Sequence, residues 1–311
     1  MLLRALFTTV RGFAMGAADI VPGVSGGTIA LVFGIYERLI TSVRAGSSAL
    51  GALVKGDIEG FKRWFGAVDW SFIIPLGLGV LIALFSLAHV IEQLLEDQPV
   101  IMASIFLGLV AGSVVIAWKL IGSPTSRHAW IALGVGAIVF VLLGLRGGTT
   151  EESVSQAAEP ALIAFFFAGA IAICAMILPG ISGSFLLVVM GMYGPVLSAV
   201  TDRDFASLAV FGLGAIIGLA LFSQLLYRAL RSHHDLVLAV LIGLMAGSVR
   251  VLWPWPLGVE STELGTPDSQ VPLALLCALI AMIAVIVIGR FAQRLESDPS
   301  SDATVSAGAP D

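Results

Sequence analysis

Apolar residues run in long blocks along this chain, and polar positions gather between the blocks rather than alternating within them. Six blocks are long enough for a helix to cross the ~30 Å hydrocarbon core of a bilayer. They lie at residues 72–95, 100–119, 129–145, 208–227, 236–253 and 272–289. Two other regions have a different pattern, an apolar arm, a short helix-breaking run and a second apolar arm. The first covers residues 2–43 and breaks at Asp19-Ile-Val-Pro-Gly-Val-Ser-Gly-Gly-Thr28. The second covers residues 161–200 and breaks at Leu178-Pro-Gly-Ile-Ser-Gly-Ser-Phe185. Each arm reaches only roughly 22 to 26 Å at the helical rise per residue. The pattern therefore predicts two re-entrant helical hairpins. Their tips, being irregular backbone at membrane depth, must be enclosed by protein or line a polar cavity.

The two breaks are copies. Pro22, Gly23, Ser25, Gly26, Gly34 and Tyr36 map onto Pro179, Gly180, Ser182, Gly183, Gly191 and Tyr193 at a constant offset of 157 residues. Further along, residues 76–79 match 211–214 and residues 107–114 match 242–249, both at an offset of 135. The difference reflects an extra basic segment in the first half, residues 44–69, expected to be an amphipathic interfacial helix or a solvated loop helix. Residues 1–145 then form one membrane repeat, 146–160 a polar, acidic, extracytoplasmic linker, and 161–290 a second repeat. Residues 291–311 form a polar tail whose composition predicts disorder. A hairpin plus three spans is an odd number of crossings, so the second repeat must be upside down. The expected fold is an all-α integral membrane protein of two inverted-topology repeats, each one re-entrant helical hairpin plus three transmembrane helices.

Composition agrees. The chain is 58% hydrophobic and only 12% charged, which excludes an ordinary soluble domain. The net charge of -5 says little, whereas the placement of Lys and Arg says much. Thirteen of the sixteen fall on the side shared by both termini, residues 44–69, and the loops near 119–128 and 228–235. That side is expected to be cytoplasmic. The opposite loops hold Glu92, Glu96, Asp97, Glu151, Glu152, Glu159, Asp202, Asp204, Glu260, Glu263 and Asp268. Trp253 and Trp255 suit the outer interface. Cys174 and Cys277 lie in apolar stretches and read as buried small hydrophobes. No cleavable signal peptide is expected, since the first residues run directly into the first arm.

The breaks carry the candidate chemistry. Their glycines let successive amides turn toward one point, and their hydroxyls and following helix starts suit a phosphate or other anion. The candidate substrate-binding residues are Pro22, Gly23, Ser25, Gly26, Gly27 and Thr28, with Pro179, Gly180, Ser182, Gly183 and Ser184. The alternative is a tight turn that satisfies only itself. Asp19 borders the first break while its counterpart Met176 is apolar, which makes Asp19 a candidate proton or cation coupling site. It could instead accept hydrogen bonds at the turn, or pair with Arg11 two turns earlier. Arg11 and Arg250 are candidates to meet a lipid phosphate from the two faces, with Arg203 weaker; interface anchoring is the other reading. The four histidines show no metal spacing and there is no Walker sequence, so no metal, cofactor or nucleotide chemistry is expected.

At Met15-Gly-Ala-Ala-Asp-Ile-Val-Pro-Gly-Val-Ser-Gly-Gly-Thr28 with Gly34-Ile-Tyr36, and at Leu178 to Phe185 with Gly191-Met-Tyr193, the chain resembles the domain-of-unknown-function 368 family. Gly247-Ser-Val-Arg-Val-Leu-Trp-Pro254 is also similar to it. The resemblance implies a translocase of polyprenyl (undecaprenyl) phosphate in a bacterial cytoplasmic membrane. It would return the carrier lipid of cell-wall synthesis from the outer to the inner leaflet, with lipid and bilayer as partners, no nucleic acid, and a possible homo-oligomeric state. Phe165, Phe166, Phe167 and Phe185 would flank the lipid tail or simply pack. Two other classes stay open, an undecaprenyl-diphosphate phosphatase-like enzyme and a small-anion channel or exchanger. The phosphatase motif has Arg after the Ser, where this chain has Gly26 and Gly183.

Overall fold

The computed structural model describes residues 2–21, 24–145, 160–256, 264–267 and 270–296, and all its regular elements are helical apart from one isolated bridge, Pro256 to Leu264. The first half contains α1 (Leu2–Asp19), α2 (Gly26–Val32), α3 (Tyr36–Val54), α4 (Ile58–Gly66), α5 (Trp70–Asp97), α6 (Pro99–Lys119) and α7 (Ser126–Gly144). The second contains α8 (Leu162–Ile177), α9 (Gly183–Val189), α10 (Tyr193–Thr201), α11 (Phe205–Ser232), α12 (His234–Ser248) with a 3-10 turn to Leu252, and α13 (Val271–Glu296). Six of these, α5, α6, α7, α11, α12 with its 3-10 turn and α13, are long and apolar enough to cross a membrane. They coincide with the six blocks of the hydropathy pattern. Of the 146–160 linker only Pro160 is described, and of the 291–311 tail residues 291–296 continue α13 as helix, while 297–311 lie outside the described residues.

The second arm of each broken region is not one helix. α2 ends at a turn through Gly34, φ +72°, before α3; α9 ends at a turn through Gly191, φ +70°, before α10. This left-handed conformation strongly favours glycine, so the doubled Gly-x-Tyr is a doubled corner. Between α9 and α10 the bend is 110°. The predicted arm at 28–43 is therefore divided, and its distal part continues past residue 43 as the long helix α3. α3 and α4 fold back on each other through Gly56, φ +73°, with Asp57 capping α4 through the Gly60 amide at 2.8 Å. This excursion is the extra segment of the first half.

Helix pairing follows the repeat. α1 packs along α5, as α8 packs along α11. Gly12 faces the Leu76 carbonyl and Gly79 that of Thr9; at the corresponding places Gly169 faces the Phe211 carbonyl and Gly214 that of Phe166. Small residues let apolar helices approach where lipid supplies no hydrophobic drive for association. The remaining long helices pair between halves, α6 with α13 and α7 with α12. Gly108 and Gly112 meet Ala278 and Met282, while Gly243 and Gly247 meet Ala132 and Gly136. These contacts relate α7 to α13 at an offset of 146, a correspondence too weak to see in the sequence alone. The offset rises because the connection entering α13 is longer than that entering α7. Across it Trp253 donates from Nε1 to the Gly265 carbonyl at 3.0 Å and stacks edge-on with Trp255.

The main core gathers around the first break, with Val24, Ile29, Leu31, Ile35 and Tyr36 packed against Leu238, Leu241, Ile242 and Met245 of α12. A smaller cluster, Phe165, Ala168, Ala172, Leu187, Met192 and Ala199, lies under the second. Phe165 belongs to that packing, whereas Phe167 is 54% exposed.

Candidate functional site

The two breaks touch each other. α8 stops at Ile177 because Pro179 follows, leaving its last carbonyls without intrahelical donors. Ser25 supplies one partner, donating from Oγ to the Met176 carbonyl at 3.1 Å. Tyr36 supplies the next, donating to the Ile177 carbonyl at 3.2 Å. In return the Gly180 amide donates to Thr28 Oγ1 at 3.0 Å. Gly27 permits this approach, since a Cβ there would sit 2.6 Å from the Ile177 oxygen. Gly180, at φ +86°, lies against the backbone of Met245 on α12. Ser25, Thr28, Tyr36 and Pro179 are almost wholly buried.

The first break is also closed upon itself. Asp19 Oδ1 accepts from the Gly26 amide at 2.6 Å, and Ser25 Oγ accepts from Gly27 at 3.1 Å. The carboxylate so occupies the start of α2, where a negative group is favoured. It takes this role rather than forming an ion pair with Arg11, which lies two turns back on α1 and is half-buried. The second break has the same shape with different chemistry. The Met176 side chain covers Gly183 just as Asp19 covers Gly26. No carboxylate stands there, Ser182 caps no amide of α9, and its hydroxyl instead meets that of Ser184 at 2.8 Å. Ser184 is exposed.

The pairing between the breaks is one-sided. Repeat symmetry places Ser182 opposite the Asp19 carbonyl and Tyr193 opposite that of Ile20, and neither bond is formed among the described residues. Pro22 and Gly23 lie outside the described residues. Arg250 lies on the 3-10 turn, where its guanidinium stacks on Phe140, 4.9 Å from the ring centroid, and fills the space beside Gly144. The structure thus joins Ser25, Gly26, Gly27, Thr28, Asp19, Gly180 and Pro179 in one buried knot, with Ser182, Gly183 and Ser184 at its more open edge. Sequence reasoning missed the Tyr36 hydroxyl and the α8 carbonyls. Their signal was the doubled tyrosine, which served only to establish the repeat.

Residues 15–266 match the family described as VCA0040-like, undecaprenyl phosphate translocase-like. The chain belongs to this family. It is 40% identical over 275 residues, 87% of this chain and 84% of the relative, to a protein of Vibrio cholerae serotype O1 named polyprenyl-phosphate transporter. It is 31% identical over 293 residues, 90% of this chain and 95% of the relative, to one of the same name in Staphylococcus aureus. No solved structure matches it. The family match runs from within α1 to the connection before α13 and takes in both breaks, so membership concerns most of the bundle and not one motif.

Proposed function

We propose that the protein carries polyprenyl phosphate across the cytoplasmic membrane from the outer to the inner leaflet, returning the carrier lipid for reuse in envelope synthesis. It works as a transporter without nucleotide hydrolysis, with both termini cytoplasmic. The family and the transporter names of its relatives support the substrate class. The mechanism is alternating access of two inverted repeats built on re-entrant breaks.

The observation that carries this reading is the one-sided hydrogen bonding between the breaks. Ser25 and Tyr36 hold the carbonyls of Met176 and Ile177, while Ser182 and Tyr193 leave those of Asp19 and Ile20. In the opposite state the second pair closes and the first opens. Such an exchange replaces like with like, so two packings of similar free energy become available to one chain. The phosphate head meets Pro179, Gly180, Ser182, Gly183 and Ser184 in this state and Pro22, Gly23, Ser25, Gly26, Gly27 and Thr28 in the other, with Arg11 and Arg250 guiding it from the two faces. The polyprenyl tail stays in lipid. Asp19, which holds the Gly26 amide when charged, couples the exchange to a proton or cation.

The test is a proteoliposome assay with a fluorescent short-chain polyprenyl phosphate, with and without an imposed proton gradient. Protein-dependent transfer between leaflets, lost in the Ser25→Ala, Ser182→Ala double variant, is expected. Transfer at the protein-free rate, or conduction of small anions without lipid movement, defeats the reading.

A further inference from the structure

A second concentration of chemistry lies away from the breaks, where α3, α4 and the C-terminal end of α11 meet. The Arg44 guanidinium carbon stands 4.0 Å from the ring centroid of Tyr227 and 5.4 Å from that of Trp64. The guanidinium is thereby held by two aromatic rings. Arg231, one turn after Tyr227, donates from Nη1 to Tyr227 Oη at 3.2 Å, with its own carbon 5.7 Å from the same ring. Two positive charges thus converge on one phenol. Among the described residues no carboxylate lies within ion-pair distance of either.

The acids at this end are committed elsewhere. Asp69 pairs with Arg38, Glu37 with His234, Asp235 with the amides of Gly122 and Ser123, and Asp57 caps α4. Among the residues whose side chains are described, Glu59 alone remains at this end, exposed on α4, against the exposed cations Lys62, Arg63 and Arg228. Converging cations without a counter-ion, Arg44 half-buried and Arg231 exposed, suit an anion that both can hydrogen-bond. α4 and the residues beside it expose Ile58, Phe65 and Trp70, an apolar border at the level where spans meet headgroups. An anion reaching this place with its chain in the bilayer is a lipid phosphate.

We propose that Arg44, Tyr227 and Arg231 form a headgroup site for a membrane lipid bearing a phosphate, the phosphate bridging the two guanidiniums and accepting from the Tyr227 hydroxyl. The site belongs to one face of the protein. Repeat symmetry puts Thr201 in place of Arg44, and Glu92 and Glu96 in place of Tyr227 and Arg231, at the far end of α5. A phosphate lipid is held at one end and repelled at the other.

The test measures lipid binding to the purified full-length protein by native mass spectrometry, with short-chain polyprenyl phosphate, phosphatidylglycerol and inorganic phosphate as separate probes. Arg44→Gln and Arg231→Gln each weaken saturable lipid binding about tenfold, as expected for loss of a charge-assisted hydrogen bond. The Lys variants, which keep the charge, retain part of it, and melting temperatures of all four report folding. The ratio between the two lipid probes identifies a monoester or a diester as the preferred head. Phosphatidylglycerol, which the transport reading does not place at the breaks, reports this site alone, so loss of its binding in the Arg variants is separable from the outcome of the transport reading. Lipid binding unchanged in the Arg44→Gln, Arg231→Gln double variant, or inorganic phosphate displacing lipid at equal concentration, overturns the site.

Discussion

Tyr36 donates its phenolic hydrogen to the carbonyl oxygen of Ile177 across 3.2 Å, tying the first break to the end of α8, while its repeat partner Tyr193 makes no such bond among the described residues. One net hydrogen bond is worth about 0.5–1.5 kcal/mol. Removing it from one state alone shifts a two-state balance by up to about tenfold. With Cys174 and Cys277 replaced by Ala, thiol labelling of Ser184→Cys reports exposure of the second break. Tyr36→Phe should slow that labelling and Tyr193→Phe should speed it. Equal responses would dismiss the reciprocal latch.

The glycines between α1 and α5 make a stability prediction. A Cβ at Gly12 would collide with the backbone of Leu76, and one at Gly169 with that of Phe211. Backbone cannot move aside as a flexible side chain can. Gly12→Val and Gly169→Val should each destabilise the protein by at least the 1–3 kcal/mol usual for overpacking, read as a lower melting temperature in detergent. Gly46→Ala, where nothing lies within 4 Å, serves as the control and should change little.

Asp19 separates structural from functional roles. Its Oδ1 accepts from the Gly26 amide, and an Asn side-chain oxygen can do the same. Asp19→Asn should therefore fold near wild type, whereas Asp19→Ala leaves the amide unsatisfied at a cost of about 1–3 kcal/mol. If Asp19 couples transport, the Asn variant still loses its response to a proton gradient. A preserved response would assign Asp19 to capping alone.

At the start of α5, burial opposes ionisation of Asp69, but bonds from the Ser71 hydroxyl, the Arg38 guanidinium and the Phe72 amide outweigh it and hold its pKa below the ordinary value. A carboxyl depressed in the folded state contributes stability above its unfolded pKa of about 3.9, and loses it as pH falls through the lower folded value. Asp69→Asn should thus lower the melting temperature at neutral pH and flatten its decline below about pH 4. The pair is partly exposed, so the effect should stay under about 1 kcal/mol.

Much of the fold was legible because lipid imposes a simple rule on composition. The six spans needed only length and apolarity, and α5 extends by two residues at each end beyond the block at 72–95. The corners at Gly34 and Gly191 were visible as a repeat but not as turns, because apolar residues flank both and hydropathy does not register a change of direction. The candidate site was legible as residues and not as bonds. Ser25 and Thr28 were singled out for an anion, yet the hydroxyl of each also bonds a backbone group of the other half.

The sequence by itself determined the membrane class, the duplicated Pro-Gly-x-Ser-Gly breaks, the asymmetry of Asp19 against Met176 and the segregation of Lys and Arg. These follow from transfer free energies and covalent repetition, which need no partner to be read. Only the tertiary structure decided that α6 pairs with α13 and α7 with α12, that the breaks hold one another through Ser25, Tyr36 and Thr28, and that Asp19 turns to Gly26 instead of Arg11. In a bilayer every span is apolar on all sides, so hydropathy cannot choose neighbours. Close packing at glycines and the need to satisfy each buried polar group make that choice.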